Sequence, residues 1–142
     1  MSLIDPEEYV KYYLPLLGVE DGAYFALIDR GLGIVPVLVK AFHTEREPKM
    51  KSRILEVIWQ HRDPAAIPVL AEALLDPAPA VWKEALNGLV ALNRPECISV
   101  LEKARGRDIE GGKSSSSFIS WVEEALEQLQ NNRPDERDRD GG

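Results

Sequence analysis

The chain repeats itself at a nearly constant interval. Three ten-residue segments align without gaps at shifts of 32 and then 31 residues. They are GIVPVLVKAF from Gly33, AAIPVLAEAL from Ala65 and ECISVLEKAR from Glu96. Apolar residues in each segment fall three and four positions apart, which is the spacing of one helical face. A repeat of this length and periodicity indicates a stack of similar helical units.

A second helix is predicted in each unit. MKSRILEVIW from Met50 aligns with VWKEALNGLV from Val81 at a shift of 31. SWVEEALEQLQ from Ser120 continues the series, with Ala125 standing 40 residues after Ala85. DPEEYVKYYLPLL and GAYFALIDRG, near the start of the chain, have the pattern of a divergent helix pair. Each hairpin carries one apolar stripe that it cannot bury alone, so we expect an all-α, right-handed α-solenoid of about four helical hairpins.

The expected domain boundaries follow from these alignments. The solenoid covers residues 1–131, and a disordered charged tail covers 132–142. Within the solenoid we expect a divergent hairpin at about 5–31, repeats at about 32–62, 63–93 and 94–131, and a flexible Gly/Ser insert at about 106–117.

Helix-start signals support the units. Asp5-Pro6, Asp63-Pro64 and Asp76-Pro77 each offer a capping side chain followed by a proline suited to the first helical position. Thr44, with Glu47 three residues later, has the spacing of a capping box, which predicts a helix start there.

Prolines also stand inside the predicted first helices. Pro68 falls fifth if the helix begins after Asp63, and Pro36 occupies the aligned place one unit earlier. A proline at that depth removes a backbone hydrogen bond. We therefore expect either a bend or a later true start in these helices.

The repeats resemble HEAT repeats, in the short form similar to phycobilisome lyase subunits. The resemblance depends on AIPVLAEALLDPAPAVWKEALNGLVAL, residues 66–92, and extends over about residues 32–131. Its marks are the prolines Pro36 and Pro68 and the turn Asp76-Pro77 before Val81. It implies an α-solenoid that binds other macromolecules through the face of its second helices. It does not imply one activity, since related folds include scaffolds, lyases and a metal-dependent hydroxylase.

Composition and charge limit the function classes. The formal net charge of −7 argues against binding of a nucleic-acid backbone. No apolar run approaches the ~20 residues of a membrane span, and the start of the chain has no signal-peptide pattern. The single Cys97 fits a reducing compartment. We expect a cytoplasmic protein, with the monomer favoured.

No catalytic or metal-binding motif is evident, so we expect no cofactor. His43 and His61 fall in predicted last turns, where they favour the helix dipole. Cys97 is expected to be a small packing residue, because it lies beside a core position without basic neighbours. Gly112-Lys113-Ser114 lacks the first glycine of a phosphate-binding loop.

The second-helix surface is the candidate site. Superposition of the units places Arg53, Glu84 and Glu124 in register, then Glu56, Asn87 and Glu127, then Gln60, Ala91 and Asn131. Residues in register line up along one face of a stacked array, and this face becomes acidic toward its C-terminal end. Such a surface would attract a basic partner, or would serve only solubility.

The tryptophans bear on whether the second-helix surface binds a partner. Trp82 replaces a basic residue at the start of a second helix, yet it also has core spacing from Leu86 and Leu89. Both an exposed binding anchor and inter-repeat packing remain open for it. Trp59 and Trp121 lie in apolar stripes and are expected in the core.

These observations favour a non-enzymatic protein-binding module, an adaptor, scaffold or inhibitor that uses Arg53, Glu56, Gln60, Trp82, Glu84, Asn87, Glu124 and Glu127. One alternative is an immunity-type protein that covers the basic surface of a toxin. Another, carried by the resemblance alone, is a lyase-type or chaperone-like enzyme for a bilin cofactor.

Overall fold

Helices make up the fold in the part of the chain that the structure describes. This computed structural model describes residues 5–29, 32–111 and 116–131, which form eight α-helices. The helices are α1 (Pro6–Tyr13), α2 (Asp21–Asp29), α3 (Val35–Thr44), α4 (Pro48–Gln60), α5 (Ala66–Ala73), α6 (Pro79–Leu92), α7 (Pro95–Gly111) and α8 (Ser116–Asn131). Short 3₁₀ turns at Leu14–Leu16 and Leu32–Ile34 complete these elements.

The helices form two layers. Each odd-numbered helix packs against the next even-numbered one as a hairpin. The even-numbered second helices then contact each other in chain order, α2 against α4, α4 against α6 and α6 against α8. The fold is an α-solenoid of four hairpins over the described residues, as the repeat predicted. No described helix is long and apolar enough to cross a membrane.

The core lies between the two layers and repeats with the sequence. Leu38, Leu70 and Leu101 hold the same position in successive first helices, and all three are fully buried. Leu55 and Leu86 repeat this in the second helices. Burial of each such side chain is worth about 1.5–3 kcal/mol, so the aligned leucines stabilise the stack.

The two internal prolines mark late helix starts. α5 begins at Ala66, which places Pro68 in its first turn, and α3 begins at Val35, directly before Pro36. The first N–H groups of a helix have no intrahelical partner, so a proline there removes no hydrogen bond. Of the two predicted outcomes, the late start is therefore correct.

The capping aspartates behave in two ways. Asp5 caps α1 as predicted, with Pro6 as the first helical residue. Asp63 Oδ1 accepts a 2.8 Å hydrogen bond from the N–H two residues later, and Asp76 Oδ1 accepts one of 2.9 Å in the same way. Their helices nevertheless begin three residues after each aspartate. Pro64 and Pro77 thus lie in turns, and their predicted placement as first helical residues is wrong.

The predicted capping box is also wrong. Thr44 is the last residue of α3, and its hydroxyl donates a 3.2 Å hydrogen bond to the carbonyl of Ala41. α4 begins at Pro48, with Glu47 as a cap residue that makes no side-chain cap hydrogen bond. The hydroxyl satisfies a C-terminal carbonyl of one helix instead of an N–H of the next.

The predicted insert is shorter than expected. Residues 106–111 continue α7, and Ser116 and Ser117 belong to α8. Most residues from Gly106 to Gly111 are compatible with a helix, so α7 continues beyond Arg105, the last residue of the aligned segment. Residues 112–115 and the predicted tail at 132–142 lie outside the described residues.

Candidate functional site

The N-terminal part of the second-helix face contains a tyrosine–carboxylate pair. The Tyr24 hydroxyl on α2 donates a 3.0 Å hydrogen bond to Glu56 Oε2 on α4. Burial and this hydrogen bond raise the pKa of Tyr24 to about 12, so the phenol stays a donor. Gln60 lies beside the same hydroxyl. The pair connects the second helices of the first two hairpins and holds one carboxylate in place.

Arg53 closes this end of the face. An added Cβ atom at Gly18 would lie 2.5 Å from the Arg53 guanidinium carbon, so the side chain packs against the α1–α2 loop. Gly18 has φ +83°, a backbone conformation that favours glycine. The Arg53 side chain therefore has a structural role, because its guanidinium covers the α1–α2 loop.

A second carboxylate is held by a tryptophan. Trp59 Nε1 on α4 donates a 2.8 Å hydrogen bond to Glu84 Oε2 on α6. Burial raises the pKa of Glu84, the Trp59 hydrogen bond opposes the rise, and the charge of Glu56 adds to it. Glu56 and Glu84 thus lie near each other at the centre of the face. Each is held by an aromatic donor from the preceding second helix.

The C-terminal part of the face is more open. Asn87 on α6 and Glu124, Glu127 and Asn131 on α8 are exposed. A groove of about 190 Å³ runs between α6 and α8, and Asn87, Ala91 and Glu124 are among its lining residues. The structure therefore brings the residues that the repeat alignment placed in register onto one continuous layer of helices.

The structure decides between the two roles that the sequence left open for Trp82. Trp82 is only 7% exposed and packs edge-on against Phe118, with ring centroids 5.0 Å apart. It is a packing residue and cannot be the exposed anchor that its place in the predicted site required. Trp121, predicted in the core, is 42% exposed. Trp59 is buried as expected.

The exposure of Trp121 has a structural cause. Its ring lies 6.5 Å from the Trp82 ring, so Trp82 and Phe118 occupy the space between α6 and α8 that Trp121 would need. α8 packs mainly against α6 and α7. The Lys83 ammonium lies 4.9 Å from the centroid of the Trp121 ring, which is cation–π geometry. Sequence spacing could not reveal this competition among three rings for one space.

A salt bridge between successive units completes the inter-repeat contacts. Lys51 on α4 donates to Asp76 in the turn before α6, and both side chains are largely buried. Lys51 is the residue that aligns with Trp82, so the basic position is used in one unit and replaced in the next. The pair stabilises the junction of α4 and α6 rather than forming a binding site.

The histidines and the cysteine have structural surroundings. His43 Nε2 lies 2.9 Å from Glu72 Oε1, and His61 Nε2 donates to the Leu27 carbonyl at 3.2 Å. Cys97 is fully buried, and burial raises the pKa of its thiol, as expected of a packing residue. Within residues 5–29, 32–111 and 116–131, no three His, Cys, Asp or Glu side chains are grouped for a metal ion.

The comparison with family models decides the family. The model for HEAT repeats matches residues 35–111, which is more than half of the chain. The chain belongs to the HEAT repeat family. The match covers α3 to α7, so the two best-aligned HEAT units and the first helix of the next lie inside it. The phycobilisome-lyase-like subtype stays a prediction.

One solved structure supports the same fold. This HEAT repeat protein is similar to human deoxyhypusine hydroxylase, solved in complex with glycerol, with 21% sequence identity and a TM-score of 0.65. The alignment covers 93% of this chain but only 46% of the hydroxylase chain. At that identity the likeness shows the fold alone. No curated protein matches the chain.

Proposed function

We propose that this HEAT repeat protein is a non-enzymatic binding module that holds a basic partner protein against its second-helix face. The observation that carries the proposal is the pair of carboxylates at the centre of that face. Tyr24 orients Glu56 and Trp59 orients Glu84, so both acceptors are positioned before a partner arrives. Preorganised acceptors lose less side-chain entropy on binding than free surface acids do.

Charge along the face supports a basic partner. Glu124 and Glu127 continue the acidic surface on α8, and the whole chain carries a net charge of −7. Arg53, the one basic residue in the aligned set, packs on the α1–α2 loop. A surface of one sign speeds the encounter with a partner of the other sign, and the effect weakens as salt is added.

The test uses two variants with the same change of charge. In the first, Glu56→Gln and Glu127→Gln neutralise two acids of the second-helix face. In the second, Glu8→Gln and Glu102→Gln neutralise two exposed acids on the first helices α1 and α7. Partners are captured from the source organism with wild type, and each is then purified for titration calorimetry at two salt concentrations.

We expect the second-helix variant to bind a genuine partner at least about fivefold more weakly and with a smaller salt dependence. The first-helix variant should bind as wild type does. Equal loss in both variants would mean that net charge, rather than this face, governs binding. Unchanged binding in both variants would show that the second-helix face does not hold the partner.

A further inference from the structure

The groove between α6 and α8 has a counterpart one repeat earlier that is filled. At the α4–α6 junction the Trp59 indole covers Gly88, since an added Cβ at Gly88 would lie 2.7 Å from Trp59 Cδ1. The same ring donates its N–H to Glu84. A planar N–H donor from α4 thus packs on α6, where it covers Gly88 and is hydrogen-bonded to Glu84 of the same helix.

The α6–α8 junction has the aligned positions of the α4–α6 junction but no tryptophan at the position of Trp59. A shift of 31 aligns Trp59 with Val90, and a shift of 40 aligns Gly88 with Gln128 and Glu84 with Glu124. Val90, Gln128 and Glu124 all line the groove. Replacement of an indole by an isopropyl group leaves the groove open. It also leaves Glu124 without the donor that Glu84 has, and Glu124 accepts no side-chain hydrogen bond within the described residues.

Trp121 gives the groove a property that its counterpart lacks. The aligned residue one repeat earlier is Val81, which is fully buried, whereas Trp121 is 42% exposed and lines the groove. Lys83 Nζ already lies 4.9 Å from its ring centroid. Lys83 is exposed and makes no ion pair within the described residues. A cation that makes a more favourable contact with the Trp121 ring can therefore displace it. The ring is therefore an accessible surface for a positive charge.

We propose that the groove between α6 and α8 takes an arginine side chain from a partner protein, in the position that the Trp59 indole holds one repeat earlier. A guanidinium is planar, donates several N–H groups and stacks on aromatic rings. It would donate to Glu124 and pack against Trp121 over the apolar floor formed by Val90 and Ala91. This rests on the proposed function, because it names the side chain through which a basic partner is held.

Charge selects arginine over another planar donor. Glu124 lines the groove, and Glu123 and Glu127 are exposed on the same helix, so the charge of α8 favours a cation over a neutral indole. Lysine carries the same charge, but its ammonium is a point charge and does not reproduce the contact of a planar group such as the indole over Gly88.

The test needs no identified partner. The full chain, labelled with ¹⁵N, is titrated with N-acetylarginine amide while the three indole N–H resonances are followed by NMR. Trp121→Phe assigns its resonance by removing it. We expect a saturable shift of the Trp121 resonance, with N-acetylcitrulline amide, which is planar but neutral, at least about threefold weaker.

Variants of the protein test the position of the ligand. Glu124→Gln should weaken arginine amide binding about threefold or more, whereas Glu102→Gln, with the same charge change on α7, should leave it unchanged. Val90→Trp combined with Gln128→Gly copies the filled junction and should abolish binding. Circular dichroism shows whether that double variant folds, and Glu124→Gln decides the question if it does not.

The proposal would be overturned by the absence of a saturable shift at Trp121, by equal binding of the arginine and citrulline amides, or by wild-type binding by Glu124→Gln. Stronger binding of N-acetyltryptophan amide would show that shape rather than charge selects the occupant, which also contradicts it. If the arginine amide fails while Glu56→Gln with Glu127→Gln still loses its protein partner, the arginine groove is wrong and the proposed binding face stands.

Discussion

The indole N–H of Trp59 and the carboxylate of Glu84 join α4 to α6 through a 2.8 Å hydrogen bond between two successive repeats. Burial raises the pKa of Glu84 above its ordinary value of 4.5. One side-chain pair therefore serves both the stacking of the HEAT units and the placement of an acceptor on the second-helix face. A change in either residue should affect stability and binding together.

Glu84→Gln should change the pH dependence of folding. A carboxyl whose pKa is raised in the folded state binds its proton more tightly there, so wild-type stability falls as pH rises from about 4.5 through the raised pKa. Glutamine keeps an acceptor for Trp59 but cannot ionise. The free energy of unfolding of the variant is measured in urea from pH 4 to 8. It should increase relative to that of wild type as pH rises from about 4.5 through the raised pKa of Glu84. Parallel curves would contradict the prediction, and Glu127→Gln, at an exposed position, is the control.

Gly88→Ala should destabilise the protein by about 1–3 kcal/mol. An added Cβ would lie 2.7 Å from Trp59 Cδ1 and 2.9 Å from Leu70 Cδ2, so two buried side chains must move. Gly106→Ala is the matched control on α7, because nothing lies within 4 Å of its added Cβ. There we expect a gain of about 0.5–1 kcal/mol from helix propensity. Thermal and chemical unfolding measure both, and a neutral Gly88→Ala would show that the α4–α6 junction is loosely packed.

Lys51→Met should cost about 1–2 kcal/mol, because it leaves the Asp76 carboxylate without its charged partner. The side chains of Lys51 and Asp76 are only 21% and 14% exposed, so water cannot fully replace the lost contact. Lys49→Met removes the same charge from an exposed position on the same helix and should be nearly neutral. A double-mutant cycle with Asp76→Asn measures the coupling, and a coupling near zero would contradict the predicted role.

His61 should make the protein less stable in mild acid. Burial lowers the pKa of His61 below its ordinary value of 6.5, while its hydrogen bond to the Leu27 carbonyl opposes the shift. The unfolded chain then binds the proton more readily, so the contribution is present above about pH 6.5 and is lost as pH falls toward the lowered pKa. His61→Gln should flatten the stability curve below pH 6.5. An NMR titration in which His61 has its midpoint above 6.5 would show that the sign is wrong.

The alignment of the repeats predicted most of the fold because its signals are local. Leu38, Leu70 and Leu101 recur at helical spacing, and each is buried as its position required. The helix starts were harder to predict from the sequence, because an aspartate such as Asp76 caps a turn as readily as it caps a helix. Only the hydrogen bonds of the folded backbone distinguish the two cases.

The candidate site was predicted less completely. The alignment placed Glu56 and Glu84 on the same second-helix face, yet it could not show that Tyr24 and Trp59 hold them. The signal for the groove was present in the sequence, as the replacement of Trp59 by Val90 and of Gly88 by Gln128. Its meaning depended on knowing which side chain fills the junction.

The apolar pattern of the chain is enough to predict a stack of helical hairpins, because a narrow apolar stripe on each hairpin can be buried only against its neighbours. Which tryptophan faces the solvent depends on how the helices pack together. Trp82 and Trp121 both have core spacing, but the space between α6 and α8 holds the rings of Trp82 and Phe118 and leaves Trp121 at the surface. Spacing along one helix describes a face, whereas burial depends on the volume that facing helices leave free.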